Sequence, residues 1–66
     1  MAVVKNIEII AESKKGWDDA AAQGVKIAAK SVKNIRSVWV KDQKATVKGD
    51  KIDTFRVTMM VSFELK

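Results

Sequence analysis

The last quarter of the chain constrains the fold more than any other stretch. Every second residue from Phe55 to Leu65 is apolar, and the series is Phe55, Val57, Met59, Val61, Phe63 and Leu65. Successive side chains of a strand point to opposite sides, so this pattern predicts a β-strand over Ile52 to Leu65 with one face in a core. The residues between them, which include Arg56 and Met60, form a second face that needs another role.

Another strand is predicted over residues 35–47, just before the strand from Ile52 to Leu65. Between the two strands, Gly49 permits a positive φ angle and Asp50 can bond to its own backbone, so residues 48–51 form a turn. Two strands joined by a tight turn make an antiparallel hairpin. The strand over residues 35–47 alternates too. Val38 and Val40 are expected to face the core, and Ser37, Trp39 and Lys41 the other side.

The first half of the chain predicts a strand followed by a helix. Residues 3–11 alternate as a strand does, and Ser13 is placed to cap a helix start. From Lys14 to about Lys33, small and apolar side chains recur on one helical face. Gly24 on that face costs the helix about 1 kcal/mol relative to alanine, so we expect it to allow close approach to a sheet. Asn34 is expected to end the helix.

These elements predict one domain over residues 1–66, of the α+β class and β-α-β-β order. One amphipathic helix would lie on a three-stranded antiparallel sheet that wraps around it. Trp17, early on the apolar helix face, is expected in the core or at a subunit contact. Trp39 and Met60 on the far face of the sheet indicate an interaction surface, and Trp39 there would contact either another subunit or an aromatic ligand.

Size and composition narrow the function classes. A chain of 66 residues builds a marginal core. Because it has no cysteine and no histidine, neither disulfides nor a zinc site of the usual ligands can add stability. We therefore expect oligomerisation.

The lack of cysteine and histidine also limits the possible chemistry. It excludes cysteine nucleophiles, serine–histidine pairs and imidazole bases, so we expect a binding protein and no enzyme.

The charge balance is basic, with 13 Lys and Arg against 8 Asp and Glu. A net charge of +5 suits a solvated surface or a patch for phosphate-bearing ligands. The lysines are scattered, so nucleic acid is not the expected partner.

The apolar run Ile7 to Ala11 is too short for a signal peptide, and no segment approaches the ~18 apolar residues of a membrane span. The expectation is a cytoplasmic protein.

With these elements in order, the chain resembles the dodecins. The resemblance rests on an alanine-rich helix after Glu12-Ser13, the Asn34-Ile35 exit, the segment 40–43 and the ending 54–65, and it covers nearly the whole chain. It implies a hollow homododecamer with helices outward and sheets inward. Characterised dodecins bind riboflavin, FMN or FAD as stacked pairs at two-fold axes and store them. Some members hold coenzyme A or other phosphate-bearing molecules near the three-fold channels.

The residues that hold flavin in that family differ here. The position of its stacking tryptophan is Ser37, and Trp39 lies two residues further along the same strand. The position of its hydrogen-bonding glutamine is Arg56, and Asp42 matches the acidic residue that faces the sugar chain. Arg56 could contact a ligand or pair with a carboxylate such as Glu64 or Asp42. The expected ligand-binding residues are Arg36, Ser37, Val38, Trp39, Asp42 and Arg56, with no metal ligands among them.

Two functions follow from this resemblance. The first is a dodecameric shell that binds and stores flavin without catalysis. The alternative is a shell of the same type that holds coenzyme A, a nucleotide or a metal ion, or that is purely structural.

Overall fold

The predicted order of elements is confirmed by a computed structural model, which describes residues 2–65. The elements are β1 (Val3–Ser13), α1 (Trp17–Ala28), β2 (Ile35–Lys48) and β3 (Lys51–Leu65). Met1 and Lys66, which the predicted domain includes, lie outside the described residues. The order is therefore β-α-β-β, with a three-stranded antiparallel sheet and one helix.

The strand order in the sheet is β1-β3-β2, so β3 is the central strand. β1 pairs with β3 in unbroken antiparallel register from Val3 opposite Leu65 to Ser13 opposite Phe55. β2 pairs with the other side of β3 through the predicted hairpin, in which Gly49 has a φ of 68°. One face of β3 packs into the core, where Val57, Met59 and Val61 are buried, while the other face stays open, which explains why β3 shows the most regular alternation in the sequence.

The core lies between α1 and one face of β3. Val57, Met59 and Val61 are at most 1% exposed, as is Ala20 of the helix. These residues confirm the predicted inner face of β3. Gly24 lies directly over it, since a Cβ atom built at this position would stand 2.7 Å from Met59 Cε. The predicted close approach of the helix to the sheet is therefore present.

The helix begins later than predicted, at Trp17 instead of Lys14. Pairing with β3 keeps the backbone extended as far as Ser13, which is the last residue of β1. Gly16 occupies the N-cap position without a side-chain bond to the helix backbone. The prediction that Ser13 caps the helix is wrong, because its hydroxyl donates to Asp19 Oδ2 at 2.5 Å and accepts the amide of Lys15 at 2.9 Å.

The helix also ends earlier than predicted, at Ala28. A last turn continues beyond it, in which the amide of Lys30 donates to Ile27 O and that of Val32 to Ala28 O. Asn34 does not end the helix but reverses the chain just before β2 with a φ of 64°, a conformation that asparagine adopts more readily than most residues. The helix is thus shorter than the strands it covers.

Trp17 joins the first turn of the helix to the β2–β3 hairpin. Its ring packs edge-on against Phe55 with 4.9 Å between centroids, and its indole N–H donates to Lys44 O at 2.8 Å. The side chain contacts the buried cluster of Ala20, Val57 and Met59. Trp17 was predicted to lie in the core or at a subunit contact, and the structure shows it half-buried against the core. Within residues 2–65, no helix has the length and apolar character that a membrane crossing requires.

Candidate functional site

The sheet face turned away from the helix is the candidate site, and we call it the open face. Opposed residues of an antiparallel sheet share a face, so the register of the three strands defines four rows across it. In the order β1, β3, β2 the rows are Asn6–Ser62–Ser37, Glu8–Met60–Trp39, Ile10–Thr58–Asp42 and Glu12–Arg56–Lys44.

Two irregularities in β2 decide which side chains reach the open face. The register shifts between Ile35 and Ser37 and again between Val40 and Asp42. Each shift inserts one residue, as a β-bulge does, and the inserted residues are Arg36 and Lys41. Simple alternation would place Asp42 on the opposite face from Trp39. The second bulge brings both to the same face.

Trp39 is the dominant side chain of the open face. It is 63% exposed, although it stands in the middle of the site beside Met60 of the central strand. The ammonium group of Lys41 lies 6.0 Å from the centre of the Trp39 ring, at the outer limit of a cation–π contact. The result is a flat aromatic surface with a cation at its border.

Ion pairs surround this aromatic surface. Lys41 Nζ lies 2.9 Å from Glu8 Oε1, so it reaches across the central strand, and Arg36 Nη2 lies 3.0 Å from Glu64 Oε1. A looser pair joins Lys44 and Asp42 at 3.8 Å. Together with the pair of Arg56 and Glu12, four cations match four carboxylates. The open face is therefore densely charged yet balanced.

Arg56 forms an exposed ion pair with Glu12. Its guanidinium donates from Nε to Glu12 Oε2 at 2.7 Å and from Nη2 to the same oxygen. The sequence left a salt bridge and a ligand contact open for Arg56, but it named other carboxylates as partners. Both side chains are more than 40% exposed, and exposed pairs contribute about 0–1 kcal/mol. A ligand could thus take Arg56 from Glu12 at small cost.

The expected ligand-binding residues divide between the two faces. Arg36, Ser37, Trp39, Asp42 and Arg56 lie on the open face, as the register and the bonds of their side chains show. Val38 lies on the other face, where it packs half-buried against the helix-side core. A ligand on the open face would meet at most its backbone.

Sequence reasoning missed three charged residues of the site, namely Glu8, Glu12 and Lys44. The two glutamates belong to β1, and only the strand order β1-β3-β2 brings them beside Arg56 and Met60. Their even spacing along β1, on the face opposite Ile7 and Ile9, was the available clue. Lys44 depends on the bulge before it, which no local pattern in the sequence indicates.

The carboxylates of the open face do not gather into a metal-binding cluster. Among residues 2–65, no three Asp or Glu side chains stand close enough together to hold one ion. Calcium needs six to eight oxygen ligands, and on this face each carboxylate is engaged with its own cation. A single chain therefore offers no complete cation site in its described part.

Comparisons with known proteins agree in pointing to one family. The family model described as Dodecin matches residues 3–66. Calcium dodecin of Mycobacterium tuberculosis is 38% identical over 66 residues, which span 100% of this chain and 93% of that protein.

Solved structures give the same result. Calcium dodecin of M. tuberculosis, described as having a novel calcium-binding site, is 40% identical with a TM-score of 0.83, over 97% of this chain and 91% of that one. Dodecin from Streptomyces davaonensis is 25% identical with a TM-score of 0.94, over 98% of this chain and 96% of that one. A Thermus thermophilus dodecin mutant, at 23% identity, shares the fold with a TM-score of 0.94, over 100% and 98% of the two chains.

Proposed function

This chain belongs to the dodecin family, and we propose that it is a non-enzymatic assembly that binds and stores a small ligand. Two features support this proposal. The chain lacks the cysteine and histidine that most acid–base and nucleophilic mechanisms use. Its largest exposed aromatic group stands on the open face within a balanced set of charges, an arrangement suited to holding a ligand.

The ligand we propose is a flavin, and the observation that carries this proposal is the exposure of Trp39. Aromatic ligands stack on such rings, with about 1–3 kcal/mol per nucleobase as a guide. On one side of Trp39, the small pair Ser37 and Ser62 leaves room for a flat ring. On the other side, Lys41 and Lys44 would exchange their carboxylate partners, Glu8 and Asp42, for a phosphate tail, since exposed pairs of this kind contribute only about 0–1 kcal/mol.

The ring would not lie where the family's flavin binders hold it. Ser37 replaces their stacking residue, and Trp39 stands about 6.6 Å further along the strand, on the same face. If one stacked face is lost, affinity falls by about one to two orders of magnitude, since each 1.4 kcal/mol is tenfold. We therefore propose micromolar binding of FMN, FAD or riboflavin.

The proposed assembly is a homododecamer, with the open face turned inward. A stable interface would cover the apolar groups that one chain leaves outside, among them Trp39 at 63% and Ile10 at 65% exposure. Copies related by a two-fold axis would bring two Trp39 rings towards one cavity. This supports a site that is complete only between subunits.

The experiment is a fluorescence titration of FMN and of riboflavin with the purified protein. We expect quenching that saturates at micromolar protein, and a loss of affinity of about tenfold or more in Trp39→Ala. Leu65→Ala is the matched control, because Leu65 is also exposed, at 49%, but lies at the far end of the sheet. Unchanged flavin fluorescence at tens of micromolar wild-type protein would refute flavin as the ligand.

A calcium-storage function is the second candidate, and the observation in its favour is the 38% identity to a protein named calcium dodecin. One chain assembles no cation cluster within residues 2–65, so the carboxylates would have to come from two or more copies. Calorimetric titration of chelator-treated protein with Ca²⁺ tests this function. Heat from Ca²⁺ binding without any flavin quenching would favour it over the first candidate.

Other occupants can be detected in one experiment. Mass spectrometry of the small molecules released from denatured protein distinguishes flavin from coenzyme A and from nucleotides. The last two share the phosphate groups that Arg36, Lys41 and Lys44 would attract. Release of one of them, with no flavin, would replace flavin as the proposed ligand.

A further inference from the structure

Glu8 holds the cation that borders the aromatic surface of the open face. Its Oε1 atom lies 2.9 Å from Lys41 Nζ, and the same ammonium group lies 6.0 Å from the centre of the Trp39 ring. In the register, Glu8 and Trp39 occupy the two ends of one row, with Met60 of the central strand between them. Of the four carboxylates that the described residues place on the open face, Glu8 alone stands in the row of Trp39.

The neighbouring carboxylates have cations of their own. Glu12 stands four residues further along β1, which is about 13 Å from Glu8, and it pairs with an arginine. Asp42 forms a looser pair with Lys44, at 3.8 Å. Within residues 2–65, the pair with Glu8 is the only ion pair that Lys41 forms.

A phosphate group that reaches Lys41 meets the carboxylate of Glu8. The side chains of Glu8 and Lys41 are 48% and 35% exposed, so a ligand on the open face has access to the pair. An ammonium group has three donors and can bind both anions, but two anions on one ammonium lie within about 6 Å of each other and repel. If Glu8 withdraws instead, its attraction to Lys41 is lost. In both cases, Glu8 cancels part of what Lys41 contributes to phosphate binding.

The same carboxylate does not oppose an uncharged tail. Riboflavin ends in a hydroxyl group, whereas FMN ends in a phosphate monoester, which carries about −1.5 to −2 charges at pH 7. The ring that both flavins share would stack on Trp39 in the same way. Glu8 therefore acts against one of the two flavins and is neutral towards the other.

We propose that Glu8 sets the preference of the site between phosphorylated and unphosphorylated flavins, an inference that rests on the proposed function. With Glu8 present, Lys41 gains little from a phosphate, because it exchanges one exposed ion pair for another. Wild-type protein then binds FMN and riboflavin with affinities within about threefold of each other. Without this carboxylate, Lys41 is available to the phosphate, and the site selects FMN.

The test is a fluorescence titration of Glu8→Gln with FMN and, separately, with riboflavin. Glutamine keeps the size of the side chain and removes its charge, and residue 8 is exposed, so the fold should tolerate the change. We expect the affinity for FMN to rise about threefold to fivefold, the range that corresponds to one exposed ion pair. The affinity for riboflavin should change by less than about twofold.

Asp50→Asn is the matched control for the change in net charge. Asp50 lies in the hairpin turn, next to Lys51, and Lys51 is nine residues along β3 from Met60, which corresponds to about 30 Å. This variant should leave the affinities for both flavins within about twofold of wild type. An equal rise in FMN affinity in Asp50→Asn, or an equal rise for both flavins in Glu8→Gln, would overturn the proposal.

A double-mutant cycle with Lys41→Gln tests whether Glu8 acts through Lys41. In the Lys41→Gln protein, the further change Glu8→Gln should alter FMN affinity by less than about twofold, and a full rise there would contradict the proposal. Riboflavin binding with an FMN affinity that Glu8→Gln leaves unchanged would overturn this inference alone. Absence of binding of either flavin to the wild type and to Glu8→Gln would overturn the proposed function as well.

Discussion

Replacement of Gly24 by alanine tests the packing of the helix on the sheet. The new Cβ atom would stand 2.7 Å from Met59 Cε, 3.1 Å from Ala11 Cβ and 3.5 Å from Ile9 Cδ1. Ordinary carbon contacts begin at about 3.5 Å. The end of the Met59 side chain must therefore retreat, although Met59 is fully buried. Ala11 has no side-chain torsion that could move its methyl group away.

Two opposing effects decide the size of the change. Alanine gains about 1 kcal/mol over glycine within a helix, and an extra methyl group in a packed core costs typically about 1–3 kcal/mol. We expect the overpacking cost to prevail, because two of the three contacts are tighter than ordinary ones. The variant should lose about 1 kcal/mol, which corresponds to a Tm about 4–8 °C lower.

Urea unfolding at one fixed protomer concentration measures this loss, since the stability of an oligomer depends on concentration. Ala22→Gly is the matched control, because residue 22 is exposed in the same helix. Its loss of stability measures the difference in helix propensity between alanine and glycine alone, about 1 kcal/mol. A Gly24→Ala variant that is more stable than the wild type by the same amount would show that the helix does not press on the sheet.

The remaining predictions concern side chains on both faces of the sheet. Met59→Ala should lower the unfolding free energy by about 2–5 kcal/mol, whereas Met60→Ala, on the open face, should cost less than half as much in the same urea experiment. Trp17→Phe should cost about 1 kcal/mol, because the indole bond to Lys44 O is lost, and a thermal melt that matches the wild type would contradict this. Arg56→Ala should change the free energy of unfolding by at most about 1 kcal/mol, because its ion pair with Glu12 is exposed. A larger change in the urea experiment would indicate that this pair is buried.

The fold was predictable because its strongest pattern lies on its most buried strand. Val57, Met59 and Val61 alternate in the sequence and are buried in the structure. The start of the helix was not predictable, since β1 pairs with β3 as far as Ser13 and three further residues connect it to the helix, which begins at Trp17. Local signals therefore identified the elements, and long-range pairing set their limits.

The open face was predicted only in part. Alternation placed Ser37 and Trp39 on one side correctly, but Asp42 joins them because of a bulge. The partner of Arg56 was not predictable, because Glu12 is 44 residues away in the chain and becomes its neighbour through the strand order. Charged pairs across a sheet depend on register, which a single sequence specifies weakly wherever a face is polar.

The most direct measurement of the proposed function is the absorption spectrum of protein that is purified without added ligand. The proposal predicts the visible absorption band of a flavin on the assembled protein, together with its loss in Trp39→Ala. Colourless assembled protein, which leaves added FMN and riboflavin fully fluorescent, would contradict flavin storage at the open face.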